Sequence, residues 1–233
     1  MSEHKRGLVV GASRGLGLGI AAELKSRGWD VIATARDAAG ADRLAALANR
    51  PGGALDVERL DIDDAAALAG LRDRLEGLAL DLVLVNAGVI GPQHQDAARA
   101  TPEEVGALFL TNAVAPVRVA RALASLVRET TGVIAFMSSA MGSVAGNTGG
   151  GSELYRASKA ALNSLTRSFV ASLGGKRLTV LTLHPGWVRT DMGGSAATLS
   201  VEESARGIVD LLESRAGSER HAFLDYQGRE VPW

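Results

Sequence analysis

Six short runs rich in Val, Leu and Ile recur along the chain, at GLVVGA, DVIATA, ALDVERL, DLVLVNA, GVIAFMS and RLTVLTLHP, and a seventh, HAFLDY, lies near the end. The first six scarcely alternate apolar with polar residues, so they read as strands covered on both faces, as in a parallel sheet. Between them, Leu18–Arg27, Ala39–Ala48, Asp64–Leu75, Glu103–Arg128 and Ser158–Leu173 read as helices. Two starts carry capping boxes: Thr101 with Pro102 at the first helical position and Glu104, and Ser200 with Glu203. Strand–helix–strand units with right-handed crossovers give an α/β, doubly wound Rossmann-type fold. Its sheet is expected to hold about seven mostly parallel strands with helices on both faces.

An apolar content of 46% over 233 residues suits one well-packed domain, 1–233, and no linker, repeat or low-complexity tract divides it. The net charge of −1 comes from interspersed acids and bases, so neither nucleic acid nor an anionic membrane is implied as a partner. The absence of cysteine excludes disulfides, thiolate metal sites and thiol catalysis, and no metal site is expected. No run approaches the roughly 18 apolar residues of a membrane span. The start, MSEHKRGLVVGAS, enters a strand directly and lacks the apolar stretch of a signal peptide. A cytoplasmic protein is expected.

The first strand runs into Gly11-Ala12-Ser13-Arg14-Gly15-Leu16-Gly17. Glycines here let the backbone turn tightly and approach a pyrophosphate, for which the following helix offers unpaired N–H groups. The same residues also suit a plain tight turn, but their place between first strand and first helix favours cofactor binding. The second strand ends at Arg36-Asp37, where the adenosine ribose of a dinucleotide would lie. Arg14 and Arg36 together suit a 2′-phosphate, favouring NADP(H), unless Arg36 is simply a solvated charge. NAD(H) is not excluded, since Asp37 turned inward would serve a free ribose. Asp61, followed by Ile62, either accepts from adenine or caps the next helix. Asn86-Ala87-Gly88 ends the fourth strand at the same edge, where small residues permit close contact and also suit a turn.

Tyr155 and Lys159 are separated by one helical turn in LYRASKAALNSLTRSF, so phenol and ammonium share a face. The ammonium is expected to lower the tyrosine's pKa and make it a proton donor and acceptor near neutrality. Ser139 ends the fifth strand, where it either caps a turn or donates to a substrate carbonyl oxygen. Asn112 sits within a predicted helix, FLTNAVAPVRVA. It is either a helix irregularity with a helix–helix hydrogen bond or a water-holding group linking Lys159 to solvent.

In this order the glycine loop, Asn86-Ala87-Gly88, Asn112, Ser139, Tyr155/Lys159 and Pro185-Gly186 resemble the short-chain dehydrogenase/reductase family over essentially the whole chain. The resemblance implies a reversible hydride transfer between NADP(H) and a ketone, aldehyde or alcohol. Tyr155 would be the general acid/base, Ser139 would orient the carbonyl, Lys159 would bond the nicotinamide ribose and Asn112 would complete a proton relay. Val188 and Thr190 would contact the nicotinamide amide. A homodimer or homotetramer is implied, pairing the helices of Asn112 and Tyr155, with Ala157, Ala160, Ala161 and Leu162 as a packing face. Val10 stands where the family customarily has Thr, and NTGGGSELY lengthens the span between Ser139 and Tyr155. That insertion, with SSAMGSVAGN, HPGWVRTDMGG and LDYQGREVPW, is most similar to sniffer-type carbonyl reductases and the related C-factor signalling protein. Trp187, Met141 and Met192 are candidate apolar walls of the substrate pocket.

Overall fold

The computed structural model describes residues 4–233. Strands β1 (Arg6–Val10), β2 (Asp30–Ala35), β3 (Leu55–Arg59), β4 (Leu82–Val85), β5 (Val133–Met137), β6 (Thr179–His184) and β7 (His221–Asp225) form one sheet. Their order is β3-β2-β1-β4-β5-β6-β7, and all six pairings are parallel. The chain winds outward from β1 to β3, then returns to lay β4 on the other side of β1. A crevice therefore opens beyond the carboxyl ends of β1 and β4.

Seven α-helices cover the sheet: α1 (Gly15–Ser26), α2 (Ala38–Ala48), α3 (Ala65–Arg74), α4 (Pro102–Phe109), α5 (Ala115–Leu123), α6 (Glu153–Ala171) and α7 (Val201–Arg215). Successive strand residues point to opposite faces, and the core divides accordingly. Val9, Leu82, Leu84 and Ala135 pack with Ile20, Leu24, Leu44 and Ile208 of α1, α2 and α7. Leu8, Val83, Val85 and Ile134 pack with Leu71, Val119, Leu162 and Phe169 of α3, α5 and α6. Both capping boxes form as the sequence predicts, at Thr101/Glu104 and Ser200/Glu203.

The predicted helix 103–128 is broken. A π turn at Leu110–Val114 separates α4 from α5, because Pro116 has no N–H to give the carbonyl four residues back, that of Asn112. The chain leaves the helix after Leu123 since Leu126 and Arg128 exchange backbone bonds with Leu80 ahead of β4. Helix α6 begins five residues before the predicted Ser158, so Tyr155 lies in its first turn. Leu162 faces the core at 1% exposure and is not part of an outward packing face.

The free edge of β7 is covered by the C-terminal segment, as an unpaired edge requires. Val231 N–H donates to Phe223 O, and the Trp233 ring lies 4.9 Å from His221 and 5.3 Å from Phe223. Burial, with the positive Arg167 nearby, pushes the His221 pKa down to about 4. The unfolded chain takes up this proton near pH 6.5, so the folded state loses stability as pH falls from about 6.5 to 4. Thermal melts should show a shallower decline of Tm across that window in His221→Gln than in the parent.

Candidate active site

The glycine loop folds over the carboxyl end of β1. Gly11 and Gly15 adopt φ of 82° and 52°, a region that costs other residues conformational energy. A Cβ on Gly11 would lie 2.8 Å from Ala87, and one on Gly17 would lie 2.2 Å from Gly11 O. The loop is held by Thr34 Oγ1, which accepts from Gly11 N–H at 2.9 Å, and by Asn86 Nδ2, which donates to Gly11 O at 2.9 Å. Asn86 thus shapes the loop from β4. The α1 N-cap, Arg14, makes no side-chain cap bond, and the first turn holds no acid. Its N–H groups point to an anion site.

Around this loop runs a cavity of about 690 Å³ lined by Arg14, Arg36, Asp61, Ile62, Asn86, Ser139, Tyr155, Lys159, Val188 and Thr190, among others. Nearly every sequence-predicted site residue therefore meets one space. Arg36 is exposed at the end of β2, and Asp37 beside it lines the same cavity while its Oδ1 caps α2, accepting from Gly40 N–H at 2.7 Å. Arg14 pairs with Asp191 at 2.7 Å, with both side chains exposed. A third arginine went unread in the sequence: Arg43 lines the same cavity and donates to Ser13 O at 2.7 Å. Its only sequence signal is its spacing behind Arg36 on the next helix. Asp61 does not cap α3. It accepts from Asp63 N–H at 3.1 Å, and Asp64 supplies the cap to Ala66 and Ala67, because the chain makes a further turn before the helix.

At the chemical end, Tyr155 and Lys159 lie on one face of α6, both buried. Lys159 Nζ donates to Met137 O at 3.0 Å and lies 5.8 Å from the Tyr155 ring centroid. Burial pushes Tyr155 up to about 12, opposed by a hydrogen bond from Ser139, and pulls Lys159 down to about 8. The expected lowering of Tyr155 by Lys159 is therefore overturned: removing the phenolate from water outweighs an ammonium set over the ring. Ser139 serves both readings, since its Oγ accepts from Met141 N–H at 3.1 Å while facing Tyr155.

Asn112 is fully buried in the π turn. Its Oδ1 accepts from Val89 N–H at 2.8 Å, and its Nδ2 donates to Val89 O at 2.8 Å and Ser158 Oγ at 3.0 Å. The helix irregularity and the helix–helix hydrogen bond are both present, and the amide fixes the loop after β4 at Val89. Asn112 and Lys159 approach each other across Gly88, where a Cβ would lie 3.2 Å from Asn112 Oδ1 and 3.3 Å from Lys159 Nζ.

The segment after β6 closes the cavity. Ser204 Oγ holds Pro185 O at 2.7 Å, and Gly186 has a φ of 80°. Val188 is buried, and Thr190 Oγ1 accepts from Gly193 N–H at 3.1 Å. Thr190 also abuts the glycine loop, 3.3 Å from the position of a Cβ on Gly15. Trp187 and Met192, 53% and 48% exposed, line the mouth with Met141 and Ile90. Among the described residues, no group of three or more His, Cys, Asp or Glu is placed to hold a metal ion, and no helix is long and apolar enough to cross a membrane.

A dinucleotide-type crevice with an acid–base pair at its carboxyl edge is the class of site that fold and side chains define. The chain belongs to the short chain dehydrogenase family, which it matches over residues 5–199. It is similar to a carbonyl reductase from Pseudomonas aeruginosa PAO1 in complex with NADP, at 46% identity and a TM-score of 0.91, covering 99% of this chain and 100% of the other. Carbonyl reductase Sniffer of D. melanogaster matches at 32% identity and a TM-score of 0.87, over 99% and 100% of the two chains. C-signal of Myxococcus xanthus is 40% identical over 162 residues, 66% of this chain and 93% of the relative.

Replacing Asn112 with Leu leaves both Val89 backbone groups without a partner. Three hydrogen bonds of Asn112 are lost, each contributing about 0.5–1.5 kcal/mol, so denaturant titration should show Asn112→Leu less stable by about 2–4 kcal/mol.

Proposed function

We propose that this protein is an NADPH-dependent carbonyl reductase that reduces uncharged ketones or aldehydes and runs the alcohol oxidation in reverse. The observation that carries this reading is a buried phenol facing Ser139 in the cavity, with the Lys159 ammonium one helical turn away. The glycine loop fits a dinucleotide, since Gly11 and Gly17 let it fold tightly against Ala87 and its own backbone, leaving the uncapped start of α1 facing the cavity. Gly11, Ser13, Arg14, Gly15, Leu16 and Gly17 would hold the diphosphate, with Arg36 and Arg14 at the 2′-phosphate. Asp61, Ile62, Asn86, Ala87 and Gly88 would border the adenosine, and Pro185, Gly186, Val188 and Thr190 the nicotinamide. Bound NADPH supplies the hydride.

The protein's own residues manage the proton and the developing charge. Ser139 donates toward the carbonyl oxygen as negative charge grows there. Tyr155 delivers its proton to the same oxygen. Because burial holds that proton up to about pH 12, the acid form needed for reduction is complete at neutral pH. Lys159 stays cationic below about pH 8 and would bond the nicotinamide ribose, with Asn112 completing the proton relay. The apolar side chains of Ile90, Trp187, Met141 and Met192 at the pocket mouth support an uncharged substrate. Motifs shared with sniffer-type reductases, and the likeness to Carbonyl reductase Sniffer, support a place within that subgroup. A single domain, 1–233, assembling as a homodimer or homotetramer in the cytoplasm completes the proposal. The outward stripe of Ala157 and Ser164 on α6 suits that pairing.

The similarity to C-signal favours a second reading, an NADP(H)-binding sensor or signal with little turnover. NADPH oxidation against quinones, aromatic aldehydes, diketones and aliphatic ketones separates the two. Turnover establishes the reductase, and tight NADPH binding with silence across the panel establishes the sensor.

Tyr155→Phe should remove nearly all turnover and leave the NADPH Kd roughly unchanged; retained turnover would mean another acid. Losing a charge-assisted bond to the 2′-phosphate is worth about a tenfold loss of affinity or more. Arg36→Ala should therefore weaken NADPH at least about tenfold in calorimetric titration while leaving NADH unchanged.

A further inference from the structure

Helix α6 begins without a cap of its own. Its N-cap residue, Ser152, has a φ of 47° and makes no side-chain hydrogen bond to the first turn. The Tyr155 N–H is among the four donors that such a helix start leaves without an intrahelical partner. It finds one far away in sequence: Gln95 Oε1 accepts from it at 2.9 Å. The Gln95 amide is held in a single orientation, because its Nε2 donates to Ile90 O at 2.8 Å and Pro92 O at 2.7 Å. Gln95 itself adopts a φ of 52°. That left-handed conformation is uncommon for a residue other than glycine, and surrounding structure must impose it.

The clasp runs in both directions. Ala97 N–H donates to Glu153 Oε2 at 2.9 Å, so loop and helix start each supply the other with an acceptor, as partners in a capping box do within one helix. The same loop is anchored at its beginning, where Val89 exchanges two bonds with Asn112. Between these anchors lies Ile90, 43% exposed at the pocket. The segment 89–97 thus joins the apolar pocket wall to the backbone of the proposed acid.

We propose that Gln95 is a positioning residue that sets the depth and angle of Tyr155 by capping α6 from the loop that forms the pocket wall. It acts through the Tyr155 backbone and touches neither hydride nor proton, and the proposal rests on Tyr155 as the proton donor. Gln95→Leu removes the acceptor, whereas Gln95→Glu keeps it and loses the bonds to Ile90 and Pro92.

The test measures kcat, NADPH Kd and Tyr155 amide hydrogen exchange for both variants, with Tyr155→Phe alongside. Misplacing a reacting group by about 1 Å costs up to roughly a hundredfold in rate. Gln95→Leu should accordingly lower kcat about ten- to a hundredfold at unchanged NADPH Kd and speed Tyr155 amide exchange. Gln95→Glu should retain both the protection and most of the rate. Parental kcat in Gln95→Leu while Tyr155→Phe is inactive overturns the proposal. So does equal impairment of Gln95→Glu and Gln95→Leu, which would assign the effect to loop anchoring. If Tyr155→Phe keeps its turnover, the acid assignment is what fails. Exchange at Tyr155 then decides the cap alone, and an unchanged rate in Gln95→Leu rejects it.

Discussion

A buried ammonium is the constraint around which this site is arranged. Lys159 is only 4% exposed, and Met137 O accepts from its Nζ at 3.0 Å. Taking such a group out of water costs several kcal/mol unless polar partners replace its hydration, and the depression of its pKa to about 8 records the shortfall. Its neighbours are correspondingly small. A Cβ on Gly142 would come within 2.8 Å of Lys159 Cβ, and one on Gly88 within 3.3 Å of Nζ. Asn163 then holds Gly142 O at 3.1 Å and accepts from Ser138 Oγ at 2.7 Å. The end of β5, the turn after it and the middle of α6 are thereby locked together around one side chain.

The tyrosine beside it obeys a different balance. A unit charge acting across several ångströms in a partly polar medium is modest, and here the ammonium lies 5.8 Å from the ring centroid. Desolvation acts on the phenolate wherever the hydroxyl points, and it wins. The result suits an acid that gives up a proton only when a stronger base, a forming alkoxide, is presented to it. In the proposed reaction, reduction would draw on the form of Tyr155 that burial favours, and oxidation would require the form that it disfavours.

Much of this was legible in sequence because it is written locally. The strands follow from unbroken apolar runs, the capping boxes from residues three apart, and the Tyr155/Lys159 face from helical periodicity. The glycine loop follows from its place between strand and helix. What was missed is carried by long-range bonds or by the absence of a local one. The π turn arises because Pro116 cannot donate, yet the surrounding pattern remains helical. Asn112 finds its partners at Val89 and Ser158, Arg43 finds its partner at Ser13, and Gln95 caps a helix 58 residues further on. No periodicity reports such pairings. The Tyr155 pKa was misjudged for a related reason, since spacing reveals the charged neighbour but not the depth of burial.

The cofactor end turns on how the carboxylates are employed. Asp37, Asp61, Asp63 and Asp191 border the cavity, and each already has a partner within the protein. Asp37 caps α2, Asp61 closes a turn onto Asp63 N–H, Asp63 Oδ2 accepts from Thr111 Oγ1, and Asp191 pairs with Arg14. A helix cap is worth about 1 kcal/mol, so the Asp37 carboxylate is engaged at α2 although it borders the crevice. The Arg14–Asp191 pair is exposed on both sides, and such pairs contribute about 0–1 kcal/mol. Arg14 can therefore exchange that partner for a phosphate at little cost. Arg36, exposed and in no ion pair among the described residues, needs no exchange at all. The balance of charge at this end is thus set as much by the bonds that occupy the carboxylates as by the arginines present.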